Sequence, residues 1–146
     1  MMNKKSIKDI PIQEITLRKY EIPTALDDRE LARKFLLSIG MLQPGDSRDI
    51  IVDVYLALLK AVRGVSLAGL EQSLDGKVGA SSPNIRRQLR RLIAIKLVVK
   101  QEDVFMLSEG GNISEVVNNY LDMFVIRPTV DRIKQYAEAL QVRLNI

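Results

Sequence analysis

Cysteine and histidine are both absent from this 146-residue chain. Their absence excludes disulfides, thiolate nucleophiles, thiol redox sensing and the commonest zinc ligands together. Catalytic patterns built on other residues are missing too, with no G-x-S-x-G, no G-x-x-x-x-G-K-[ST] and no D-x-D-x-D-G run. The stretch DGKVGASS at 75 to 82 resembles a phosphate loop only superficially, because its lysine follows the first glycine and Ser-Pro opens the next helix. No cofactor or metal is expected, and the chain does not read as an enzyme. No apolar run approaches the roughly 18 residues that a membrane-spanning helix needs. The opening MMNKKSIKDIPIQEI has lysines but neither the apolar centre nor the cleavage site of a secretory signal. A cytoplasmic protein with no membrane partner is expected.

A further absence is local. From Gly76 to Gln101 the chain holds Lys77, Arg86, Arg87, Arg90, Arg91, Lys96 and Lys100 and no acid, whereas the whole chain carries a net charge of only +4. The remainder is therefore slightly acidic. A basic stripe on a near-neutral protein is the pattern of a nucleic-acid footprint.

The length suits one domain with a core plus terminal extensions. Residues 1 to 26 are poorly periodic and read as an extended arm. Asp27 with Glu30 predicts a capped helix over about 28 to 42, its apolar positions Leu31, Phe35, Ile39 and Leu42, stopped by the Pro-Gly-Asp at 44 to 46. A second helix is expected from about Arg48 to Arg63, with Ile51, Val54, Tyr55, Leu58, Leu59 and Val62 as its stripe and Gly64 as its stop. Ser66 then caps a short helix carrying Leu67, Leu70 and Leu74.

Ser82 and Pro83 predict the start of the helix that carries four arginines. At about 100° per residue, Ile85, Leu89, Leu92, Ile93 and the stem of Lys96 share one face. Pro83, Asn84, Arg87, Arg90, Arg91 and Ala94 fall on the other, with Arg86 at its margin. An ordinary solvated face mixes glutamate with lysine so that neighbours one turn apart attract; this one has arginine and no acid. After it, LVVK and VFML around QED read as a tight hairpin, and Gly110-Gly111 ends the unit.

The segment SPNIRRQLRRLIAIKLVVK followed by VFMLSEGG resembles the recognition helix and wing of winged helix-turn-helix transcriptional regulators of prokaryotic and archaeal type, and the resemblance covers about residues 48 to 111. It implies a mainly α fold with a small β-hairpin wing, Ser66 to Leu74 as the positioning helix and Pro83 to Ile95 as the helix that enters the major groove. Asn84 and Arg87 are then placed for base edges, and Lys77, Ser82, Arg86, Arg90 and Arg91 complete the DNA-binding set, the basic ones holding phosphates. The wing tip, Glu102-Asp103, is acidic and is not expected to enter the minor groove.

Beyond the wing, Asn112 with Glu115 predicts a helix bearing Val116, Val117, Tyr120, Leu121 and Phe124 that ends before Pro128. Val130, Ile133, Ala137, Leu140 and Leu144 then recur at spacings of three and four, a seam that either packs back on the first helix or joins two chains. The division expected is an arm and helix over 1–47, the winged helix-turn-helix domain over 48–111 and helices over 112–146 that serve dimerisation. The function expected is sequence-specific double-stranded DNA binding in transcription regulation, by a homodimer. The alternative is a winged-helix module that docks an acidic protein partner within a larger assembly. Nothing in the sequence names a small-molecule effector.

Overall fold

The computed structural model describes residues 8–61 and 63–145. Val62, expected on the second helix, lies outside them, as do residues 1–7 of the expected arm. The described chain is mainly helical with a small three-stranded antiparallel sheet.

Helix α1 (Asp28–Ser38) is capped by Asp27, whose carboxylate accepts from the Glu30 N–H at 2.8 Å. Its buried positions are Ala32, Leu36 and Leu37, not the expected Leu31, which is 41% exposed. The face is rotated because Arg29 and Arg33, on the same side, reach Asp49, just ahead of the next helix, and Asp53 within it. The helix also stops sooner than expected, at Ser38, followed by Gly40 with φ 79°. A side chain at Gly40 would meet Thr16, 2.8 Å away, because the N-terminal arm crosses there. Arg18 fastens that arm: its guanidinium donates to the carbonyls of Leu37 and Leu42 at 2.8 and 2.9 Å and to Gln43 at 2.7 Å.

Helix α2 (Ile50–Lys60) is the central element, with Ile50, Ile51, Val52, Val54, Tyr55 and Leu58 all buried. So many buried positions on three turns mean that it is covered on several sides, by α1 and by the arginine-bearing helix. Strand β1 (Val65–Ser66) follows Gly64, whose φ is 88° and where a Cβ would lie 2.8 Å from the Phe105 carbonyl oxygen, so no side chain fits there. Helix α3 (Leu67–Ser73) is capped by the Ser66 hydroxyl as expected and buries Leu70.

Helix α4 (Ser82–Ala94) carries the arginines. Its cap is Ser81 rather than the expected Ser82, which frees the Ser82 hydroxyl to donate to Glu71 at 2.7 Å. Ile85, Leu89 and Leu92 are buried at 0–1% exposure, so the apolar face is where the 3.6-residue period puts it. Strands β2 (Val98–Gln101) and β3 (Val104–Leu107) form the hairpin, with only Glu102 and Asp103 in its turn. The sheet order is β1-β3-β2; β1 was not expected. At two residues it has no periodicity of its own and exists through its pairing of Val65 with Phe105.

After a turn at Ser108–Gly111, the chain forms α5 (Ile113–Val116), a π-helical stretch (Val117–Ile126) and α6 (Arg127–Leu144), with helical dihedrals across both junctions. The helix therefore does not end before Pro128. An α-helical register would set the proline ring against the Phe124 carbonyl and leave that carbonyl without its donor. The wider π turn relieves the conflict: Arg127 N–H donates five residues back to the Asp122 carbonyl, and its guanidinium grips the Asp122 carboxylate twice at 3.2 Å. Val116, Leu121 and Val125 are buried, whereas α6 has no buried residue at all.

Candidate nucleic-acid interface

Helix α4 is held from both sides, and that fixes where its arginines point. Its apolar face packs on α2, and its end runs into β2. Arg86, Arg87 and Arg90 are exposed, and among the described residues none of the three makes a side-chain hydrogen bond or ion pair. Three guanidiniums on two adjacent turns, with no partner among the described residues, contribute nothing to the fold and cost some mutual repulsion.

Arg91 is different. The sequence put it on the open face, but it is half-buried: one terminal nitrogen donates to the Met41 carbonyl at 2.6 Å and the other to Gln88 Oε1 at 2.8 Å. Burial, with Arg87 close by, pushes the Arg91 pKa down, and Asp46 acts against that shift. Gln88, a buried polar residue at 7% exposure, passes the network on by donating to Asn84 Oδ1 at 3.0 Å. Asn84 in turn donates to the Gly79 carbonyl at 2.7 Å. The amide keeps one N–H and one lone pair, the pair needed for an adenine edge.

The arginines open into two clefts. On the wing side, Arg86, Arg90 and Lys100 wall an apolar floor of Leu67, Leu89, Ile93 and Phe105. On the other side, Arg87 and Arg91 meet Arg48 and the loop from Met41 to Asp46. Arg48 was not expected. The signal that could have found it is a base just ahead of α2, where the helix dipole favours acids. Lys77 does not join these groups. It pairs with Asp53 at 3.6 Å and lines a groove along α2 with Leu56 and Lys60. The structure thus brings together Asn84, Arg86, Arg87, Arg90 and Arg91, sets Ser82 at the α3 contact and leaves Lys77 apart.

The wing tip carries Glu102 in a left-handed conformation at φ 57° and Asp103, both exposed. The seam residues also lie in the open: Val130 is 42%, Ile133 62%, Leu140 59% and Leu144 63% exposed, and Ala137 is exposed as well. Packing of this seam on the first helix is therefore not what the chain does, because a face used that way would be covered. Among the described residues no helix is long and apolar enough to cross a membrane, and no cluster of acids is suited to a metal ion.

Comparison of the chain with protein-family models, curated proteins and solved structures returns no match.

Proposed function

We propose that the chain is a winged helix-turn-helix protein that binds double-stranded DNA as a homodimer and regulates transcription. The observation that carries this reading is the exposed face of α4, where Arg86, Arg87 and Arg90 stand without partners among the described residues. The element order supports it: α2, β1, α3, α4 and then the β2–β3 hairpin, with β1 on the far edge of β3, is the order of a winged helix-turn-helix unit. On this reading α4 enters the major groove. Arg87, with Asn84, faces base edges near its N-terminal end, and Arg86 and Arg90 take the phosphate backbone on the wing side.

The exposed α6 seam is the surface through which two chains join. Substitution of Arg86, Arg87 and Arg90 together by alanine tests the reading, with binding followed by fluorescence anisotropy on duplex DNA. The substituted protein should keep its fold and lose at least a hundredfold in affinity; a variant that binds as the parent does would remove the basis of the proposal.

The wing-side cleft favours a second reading. Its apolar floor between Arg86, Arg90 and Lys100 is also what an acidic protein segment with an apolar side chain would fit. Such a contact has an uncharged centre and responds weakly to salt, whereas release of counterions from phosphates responds steeply.

A further inference from the structure

The second cleft, of about 770 Å³, lies between α4, the Met41–Asp46 loop and the start of α2. Arg48, Arg87 and Arg91 line it, and Asp46 is the one acid among its lining residues. The Asp46 carboxylate already accepts the backbone N–H of Arg48 at 3.0 Å. Met41, Leu42, Ile50 and Val78 supply apolar wall. The volume is within the range of about 300 to 1,000 Å³ typical of small-ligand sites.

Arg91 is committed to this cleft by its bonds to Met41 and Gln88. Those bonds use two of the five N–H donors of a guanidinium, so three remain. Burial and the nearby Arg87 push the Arg91 pKa down, and Asp46 acts against that shift. Three guanidiniums facing one carboxylate leave two positive charges uncompensated. A carboxylate offers two oxygens and one charge; a phosphate monoester offers three free oxygens and close to two charges, and arginine forks match those oxygens in pairs.

We infer that this cleft binds a phosphate group, held by Arg48 and Arg87 at its mouth and by Arg91 within it. A free phosphate ester and a phosphate of the DNA backbone present the same chemistry there; the free ester takes all three forks, whereas a backbone phosphate meets Arg48 and Arg91 while Arg87 reads the base edge. Only the second source rests on the DNA-binding reading above.

Calorimetric titration of the full chain with phenyl phosphate, at constant ionic strength and without DNA, separates the sources. Saturable binding that weakens at least tenfold in both Arg48→Ala and Arg87→Ala supports the site and identifies the free ester as its ligand. If phenyl phosphate does not bind, duplex binding by Arg48→Ala should show a salt slope smaller by about one than that of the parent, which supports a backbone phosphate in the cleft. Arg48→Lys should restore part of either signal, since it keeps the charge and loses the fork. Absence of phenyl phosphate binding together with an unchanged salt slope overturns the inference. Phenyl phosphate binding by a protein that does not bind duplex DNA would overturn the proposed function and leave the site standing.

Discussion

The Arg91 guanidinium donates to the Met41 carbonyl at 2.6 Å across fifty positions of sequence, tying the arginine-bearing helix α4 to the turn that follows α1. Arg87, one turn earlier on the same helix, makes no such bond and stands exposed. Two arginines four residues apart thus have different work. Arg91→Ala should destabilise the protein by about 1 to 3 kcal/mol, because the Met41 carbonyl and the Gln88 amide lose a charged donor in a half-buried place. Arg87→Ala should change stability by no more than about 0.5 kcal/mol and weaken duplex binding by about 1 to 3 kcal/mol. Urea denaturation beside anisotropy titration checks both; equal effects on stability would contradict the distinction.

A second expectation concerns acid. Asp53 is nearly covered, and burial alone would raise its carboxyl, but the bidentate grip of Arg29 at 2.9 and 3.1 Å and the nearby Lys77 outweigh burial and hold it below its ordinary value. A depressed carboxyl contributes stability that is fully present above its unfolded value near 4 and is lost as pH falls through the lower folded one. The parent should therefore lose stability as pH falls below about 4. In Asp53→Asn, which does not titrate there, that loss should be smaller and stability near neutrality lower by about 1 kcal/mol, since Arg29 is partly solvated. Thermal melts from pH 7 to pH 3 measure it, and parallel curves for the two proteins would count against the network.

At the wing tip, Glu102 adopts φ 57° without being glycine. Glu102→Gly should stabilise the hairpin by about 0.5 to 1 kcal/mol, as glycine takes that conformation without a Cβ conflict. Replacing Glu102 and Asp103 by lysine should raise affinity for duplex DNA of any sequence at low salt, because two charges that repel phosphate become two that attract it. Unchanged affinity at low salt would mean that the wing points away from the DNA.

Much of this was legible in the sequence, and what was not has definite causes. Ile85, Leu89 and Leu92 gave away the buried face of α4, and Asp27, Ser66 and Asn112 each cap the helix expected of them. Strand β1 was hidden because two residues hold no pattern; only their pairing with β3 makes them a strand. Pro128 misled for the opposite reason, since its usual meaning holds for an α-helix and the chain turns π just before it. Arg91 shows the limit of a helical wheel, which gives a direction but not what waits there. Arg18 and Arg48 belong to no periodic run, and their roles come from loops that pass close only in the folded chain.

The seam on α6 yields a further prediction. Because Ile133 and Leu140 are 62% and 59% exposed within one chain, changing both to lysine should leave the fold of that chain intact. In a dimer the same change would bury unpaired charge and drive the chains apart. Sedimentation equilibrium should find a dimer for the parent and a folded monomer for the variant, with weaker DNA binding because two linked recognition helices become one. A parent that stays monomeric at high concentration would remove the homodimer from the account.

The most direct test of the central claim is the salt dependence of duplex DNA binding by the parent and by the protein with Arg86, Arg87 and Arg90 replaced by alanine. Binding of phosphates releases about 0.9 counterion per contact, so the logarithm of the parent's affinity should fall linearly and steeply with the logarithm of salt concentration. Loss of the three arginines should reduce that slope by about two to three. A parent with no measurable affinity for duplex DNA at low salt, or a slope that the three substitutions leave unchanged, would contradict the claim that the exposed face of α4 binds DNA.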